Sequence, residues 1–296
     1  MLRTRLLVGS LLAALMFGVL VADNFLAPWF PILYVLFVAI GILGGEELRR
    51  LLPEKICPPA LLCHAGLQCI IAANWIRPIH DLVSSIVPAI DPWHLIVGLI
   101  AVFSILAFMR EMWVYNESGE ATNRIAFSIF AWVYLGLLSS FLAQIRWLPS
   151  GSGSSSRSAL ALALTIFVPK CCDVGAYLTG RAIGKHRMTP RLSPKKTWEG
   201  AAGGLVLANL VALAGVWFGD RPAWFWLKAL GFGITVGIAG MLGDLAESLL
   251  KRESQKKDAS QAVPGFGGVL DVVDSLLFAA PVAYLWLQSP RFSPLG

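Results

Sequence analysis

Residues 224–243 read WFWLKALGFGITVGIAGMLG, and the chain continues Asp244-Leu245-Ala246-Glu247-Ser248-Leu249-Leu250-Lys251-Arg252. The first stretch has the length and apolarity of a membrane span, since about 20 such residues cross a hydrocarbon core. The second is dense in charge. A further polar run, Lys256-Lys257-Asp258 and then Pro264-Gly265-Phe266-Gly267-Gly268-Val269-Leu270-Asp271-Val272-Val273-Asp274-Ser275, leads into another apolar segment at 269–288. Carboxylates at the entry and exit points of a bilayer are costly and usually mark a functional site. With lysines and a glycine-rich turn beside them, they point to metal-assisted chemistry on phosphates.

Working outward, the same apolarity recurs along the whole chain. Of 296 residues, 56% are hydrophobic and 14% charged, against roughly 25% charged in soluble domains. Nine spans are expected, near 6–22, 28–45, 57–76, 94–110, 125–147, 159–180, 201–219, 224–243 and 269–288. The fold class is therefore an all-α polytopic membrane protein, a single integral membrane domain over 1–296. Helices in 1–150 have no assigned role, and 159–288 holds the catalytic helices and cytoplasmic loops. The third span is the weakest, interrupted by Pro58, Pro59, His64 and Gln68. Arg3, Arg5 and the apolar run after them could also be a signal peptide, but further spans follow at once and favour a retained helix.

Loop charges orient the chain. With the N-terminus in the cytoplasm, seventeen of the 24 Lys and Arg residues lie inside and six outside, with Lys170 in a span. That is a positive-inside distribution. The net charge of +6 is thus a topological bias that suits anionic lipid headgroups. It is no sign of nucleic acid, for which a basic helix with interleaved aromatics is missing. Five cysteines without a CxxC pair support neither a disulfide framework nor a zinc site, and all five read as small buried hydrophobes. Trp residues near span ends, among them Trp29, Trp75 and Trp224, read as an interfacial belt.

Two polar loops fall on the cytoplasmic face, 173–200 and 244–274. Asp271 and Asp274 are three apart, so a helix puts both on one face. Asp244 closes the eighth span, with Glu247 one turn on. Hard oxygen ligands of this kind suit Mg²⁺, held by one or two carboxylates together with substrate phosphates. Gly265, Gly267 and Gly268 would let the N-terminus of the last helix approach an anion. Glu247 and Lys251 read equally well as a surface ion pair. In the first loop, Ser193-Pro194 followed by Glu199 reads as a helix start with Pro in the first turn. That places Lys195 and Lys196 where phosphates bind, as point charges needing no fork geometry. Glu46 and Glu47, near the second span, are open to a functional reading, but capping or loop solvation is the better one. No Gly-x-Ser-x-Gly elbow or P-loop is present, which excludes those two chemistries.

At these residues the chain closely resembles the phosphatidate cytidylyltransferase family. The resemblance rests on Ser248-Leu249-Leu250-Lys251-Arg252, Lys257-Asp258 and the run from Pro264 to Asp274. Asp173, Ala176-Tyr177, Gly180-Arg181 and Ser193-Pro194-Lys195-Lys196-Thr197-Trp198-Glu199-Gly200 add to it. Phe266 and Val272 stand where the family usually has His and Arg. The resemblance implies transfer of a cytidylyl group from CTP to phosphatidate, giving CDP-diacylglycerol and pyrophosphate. It also implies a helix bundle, often a homodimer, with a polar cavity open to cytoplasm and bilayer. The expected cofactors are Mg²⁺ on Asp244 and Asp271, with a second cation such as K⁺.

On that basis Asp244, Asp271, Asp274 and Lys257 are the candidate catalytic residues. Asp173, Ser193, Lys195, Lys196, Lys251, Arg252, Asp258, Gly267 and Gly268 are candidates for binding CTP or phosphatidate. Short extensions favour a bacterial plasma membrane, with the site facing the cytoplasm. Two alternatives stay open: a CTP-dependent kinase or nucleotidyltransferase of polyprenol or isoprenoid lipids, and an ion-coupled transporter.

Overall fold

The computed structural model describes residues 2–83, 90–115, 119–148, 155–217, 224–255, 260, 267–289 and 293–295. They form eleven α-helices and one β-hairpin. In order these are α1 (Leu2–Asn24), α2 (Pro31–Arg50), α3 (Ala60–Ala73), α4 (Ile76–Val83), α5 (Pro92–Trp113), α6 (Ala121–Ala131) and α7 (Leu138–Ile145), then α8 (Ser155–Ile183), β1 (Arg187–Thr189), β2 (Ser193–Thr197), α9 (Trp198–Trp217), α10 (Phe225–Glu253) and α11 (Val269–Gln288). A π-helical turn, Trp132–Leu137, joins α6 to α7 without a break.

Seven helices are long and apolar enough to cross a membrane: α2, α5, the continuous Ala121–Ile145, α8, α9, α10 and α11. Two shorter apolar stretches, Gly9–Asn24 and Ala60–Ala73, fall at the expected first and third spans. The protein is an all-α integral membrane protein. Two compact units are formed, Met1–Ser140 with Lys256–Leu270, and Phe141–Gln255 with Asp271–Gly296.

In the first unit, α3 supplies the core, with Leu67, Ile70 and Ile71 essentially inaccessible. Several polar groups there are paired, as the lack of water in a bilayer favours. Trp132 Nε1 donates to the Cys63 carbonyl at 3.0 Å, and Asn74 Nδ2 to Ser140 Oγ at 2.9 Å. The two carboxylate oxygens of Asp23 accept from Ile32 N at 3.0 Å and Leu33 N at 3.2 Å. Those amides open α2, whose first-turn N–H groups have no partner within the helix.

The second unit is assembled on small residues. Gly200, Gly204, Ala208, Ala212 and Val216 are buried along α9 at a spacing of four, which makes one smooth strip. A Cβ at Gly204 would clash with the Cys172 carbonyl of α8, and one at Gly175 with the Gly203 carbonyl of α9. Between membrane helices, close backbone approach of this kind supplies much of the packing energy. The same device joins α10 to α11, where a Cβ at Gly243 would run into the Asp274 carbonyl.

Five expectations need correction. The eighth span does not end at Asp244, because α10 continues to Glu253. Asp173 is not in a loop, because α8 runs on to Ile183. Ser193 and Pro194 do not start a helix. They open β2, which pairs antiparallel with β1, and proline is tolerated in such an edge strand because it gives up no ladder bond there. The helix begins at Trp198, capped by Thr197 Oγ1, which accepts from Gly200 N at 3.1 Å. Finally, the cysteines are not uniformly buried: Cys63 and Cys172 are, Cys57 and Cys171 are half-buried, and Cys69 is exposed. Among the tryptophans, Trp75 is a core residue rather than part of a belt.

Candidate active site

The largest cluster of charged side chains among the described residues belongs to the second unit. Helix α10 contributes Asp244, Glu247 and Lys251, which at spacings of three and four share one face. Helix α8 contributes Lys170 and Asp173, helix α11 contributes Asp271 and Asp274, and β2 contributes Lys196.

Three carboxylates meet. One oxygen from each of Asp244, Glu247 and Asp274 lies within 4.8 Å of the others. Glu247 is 1% exposed and Asp274 5%. At that separation two negative charges repel by about 3.5 kcal/mol with an effective dielectric constant near 20. Three such pairs in one buried place need positive charge close by.

Lysines supply part of it. Lys196 Nζ is 2.5 Å from Asp244 Oδ2. Lys251 Nζ bridges Glu247 Oε2 at 2.9 Å and Asp271 Oδ1 at 2.6 Å. Lys170 Nζ is 3.3 Å from Asp274 Oδ1 and 3.8 Å from Asp173 Oδ2. Ser275 N also donates to Asp274 Oδ1 at 2.5 Å. Five carboxylates face three ammonium groups, which leaves a formal charge of −2. Glu247 Oε1 is buried with no hydrogen-bond partner among the described residues. An acceptor-only oxygen left so, beside two further carboxylates, fits a hard divalent cation such as Mg²⁺.

The residues singled out by sequence fall into three groups. Asp173, Lys196, Asp244, Lys251, Asp271 and Asp274 come together in the arrangement above. Asp271 meets Lys251 and is not one of the three converging carboxylates. Ser193 and Lys195 lie on β2, where alternate residues point to opposite faces; Lys195 is exposed while Lys196 reaches Asp244. Arg252 Nε donates to the Leu192 carbonyl at 3.3 Å and so ties the hairpin to α10. In the first unit, Gly267 and Gly268 precede α11, and Gly268 lies against the Glu47 carboxylate. Lys257 and Asp258 lie outside the described residues, as does Phe266; Val272 is half-buried on α11.

Two participants were undervalued by the sequence reading. Glu247 is no surface ion pair; it is the most buried of the carboxylates. Lys170 is noticeable in sequence as a cation within an apolar span, but its partner Asp274 is 104 residues away. The signal that could have found it is the rule that membrane-embedded charges pair.

Residues 3–289 match the model of the family described as "Cytidylyltransferase family". The chain belongs to that family. It is 31% identical to the phosphatidate cytidylyltransferase of Staphylococcus aureus over 257 residues, covering 86% of this chain and 90% of the relative. Over 115 residues it is 43% identical to the phosphatidate cytidylyltransferase of Synechocystis, 39% of either chain. Over 113 residues it is 48% identical to that of Haemophilus influenzae, 37% of this chain and 39% of the relative. These last two matches thus span about two fifths of the relatives' length.

Proposed function

We propose that this carboxylate and lysine cluster transfers a cytidylyl group from CTP to phosphatidate, giving CDP-diacylglycerol and pyrophosphate. The phosphate oxygen of phosphatidate attacks the α-phosphorus of CTP and forms the new P–O–P bond. The bond from the α-phosphorus to the β-bridging oxygen breaks, and pyrophosphate leaves with that electron pair. An ionised phosphate monoester is already a competent nucleophile, so no general base is assigned. What the chain must supply is positioning and charge stabilisation, as in other phosphoryl-type transfers.

Family membership and the names of the relatives support the reaction. What supports its location is the buried Glu247 oxygen that has no hydrogen-bond partner among the described residues, on a side chain that meets Asp244 and Asp274. Asp244, Glu247 and Asp274 would hold Mg²⁺, which supplies the positive charge that the departing pyrophosphate requires. Lys196 and Lys251 are held by carboxylates and become the phosphate contacts when CTP arrives. A phosphate that takes Lys251 releases Asp271, which keeps Asp271 available as a further metal ligand. Lys195, Lys257 and Arg252 lend positive charge to the approach. Lys170 holds Asp274 and Asp173 from the side of α8.

The inside excess of Lys and Arg supports a site on the cytoplasmic face of a bacterial plasma membrane, where CTP is available. A homodimer is part of the same reading, and sedimentation in detergent tests it. The reaction is tested with purified protein, phosphatidate, Mg²⁺ and CTP labelled at the α-phosphate. Label entering the lipid with matching pyrophosphate release supports the assignment. Release of CDP with no lipid label identifies a kinase instead, and label transfer indifferent to chelation removes the metal.

A further inference from the structure

Glu47 is 4% exposed and lies on α2, far in sequence from the cluster. Its carboxylate accepts from Val269 N at 3.0 Å through Oε1 and from Leu270 N at 2.8 Å through Oε2. Ser260 Oγ donates to Oε1 at 2.5 Å. Val269 and Leu270 are the first two residues of α11, whose opening N–H groups have no partner within the helix. A carboxylate there is held by charge-assisted bonds and by the positive end of the helix dipole.

The glycines before α11 are explained by the same contact. Gly267 adopts φ 108°, which costs any other residue strain. A Cβ on Gly268 would come 2.5 Å from Glu47 Oε2 and 2.7 Å from its carboxyl carbon. The glycine pair, which in sequence reads as a cradle for a substrate anion, here receives an anion of the chain itself.

We propose that Glu47 is a positioning residue for the reaction: by fixing the first turn of α11 it sets where Asp271 and Asp274, one and four residues past Leu270, present their oxygens. This rests on the reading of those carboxylates given above, and it assigns to the N-terminal half a part in catalysis that touches no substrate. Lengthwise rigidity of a helix carries the effect, since a shift at Leu270 moves Asp271 and Asp274 with it.

The test joins amide hydrogen exchange to kinetics in the full-length protein. In Glu47→Ala, exchange at the amides of Val269 and Leu270 should rise about tenfold or more, as loss of a cap worth ~1.4 kcal/mol implies. The Mg²⁺ concentration giving half-maximal activity should rise by a similar factor, and Glu47→Gln should fall between variant and wild type. Gly268→Ala should reproduce the Glu47→Ala phenotype, and combining the two should add little. If Glu47→Ala does not fold, Gly268→Ala serves alone. Unchanged exchange at those amides overturns the proposal. So does a fall in the amount of active enzyme with an unchanged Mg²⁺ requirement, because that is the mark of a merely structural residue. Should wild type transfer no cytidylyl group, the functional reading fails, and the exchange measurement still decides whether Glu47 holds α11.

Discussion

At the scale of single residues, each of the three clustered lysines, Lys170, Lys196 and Lys251, is paired with a carboxylate, and the five carboxylates outnumber them by two. That arrangement suits a protein that must wait for two polyanions: the lysines stay ordered, and the carboxylates stay close without mutual repulsion dominating. Adjacent lysines on β2 give a sharp test. Lys196 reaches Asp244 at 2.5 Å, while Lys195 is exposed. Lys196→Met should lower kcat/KM for CTP by about 100-fold, the order seen when a charge-stabilising donor is removed. Lys195→Met should change it less than tenfold and act mainly on salt dependence, as exposed charges do. Equal losses in both would contradict the alternation of side chains along the strand. Much of this was readable in sequence, because Asp244, Lys251, Asp271 and Asp274 stand out wherever polar residues are scarce. Glu247 was not, because an i,i+4 Glu–Lys pair has the same spelling on a wet surface as in a buried site.

At the scale of elements, what matters is how closely α10 and α11 approach. Gly243 has no room for a side chain because the Asp274 carbonyl stands where a Cβ would be. Adding one must push the two helices apart, and overpacking of that kind costs about 1–3 kcal/mol. Gly243→Val should therefore lose most cytidylyl transfer and weaken metal binding, while Gly98→Val on α5, where nothing lies within 4 Å, should be silent in both. Activity assays and Mn²⁺ titration on the two variants check this. The helix ends were the least legible part of the fold. Residues 244–253 look like a loop by hydropathy, yet they are rich in Leu, Glu, Lys and Arg, all good helix formers, and α10 simply continues. The hairpin was hidden for a different reason: β1 and β2 are short and polar, with no apolar alternation to announce a strand. Capping of α11 by Glu47 links residues 222 apart, and no local pattern encodes that.

At the scale of the whole molecule, the hydropathy of the chain settles its class and the loop charges suggest its orientation. Seven long apolar helices and two shorter ones match the spans read from sequence, because a bilayer imposes length and apolarity without regard to tertiary detail. The proposed orientation rests on the excess of basic residues that it places inside. It is checked with Lys195→Cys in a chain whose five native cysteines are replaced. An impermeant thiol reagent should label this position in inverted membrane vesicles and leave it unlabelled in intact cells; the reverse pattern would place the site on the outer face. The central claim is that Asp244, Glu247 and Asp274 form one divalent-cation site, and its most direct test is Mn²⁺ binding to the purified protein, followed by electron paramagnetic resonance. One site per chain is expected, weakened about 100-fold or more in Glu247→Gln, since loss of an outer-shell partner alone costs about 10–100-fold. Binding that survives Glu247→Gln untouched but disappears in Asp271→Asn would contradict it and return the metal to Asp244 and Asp271.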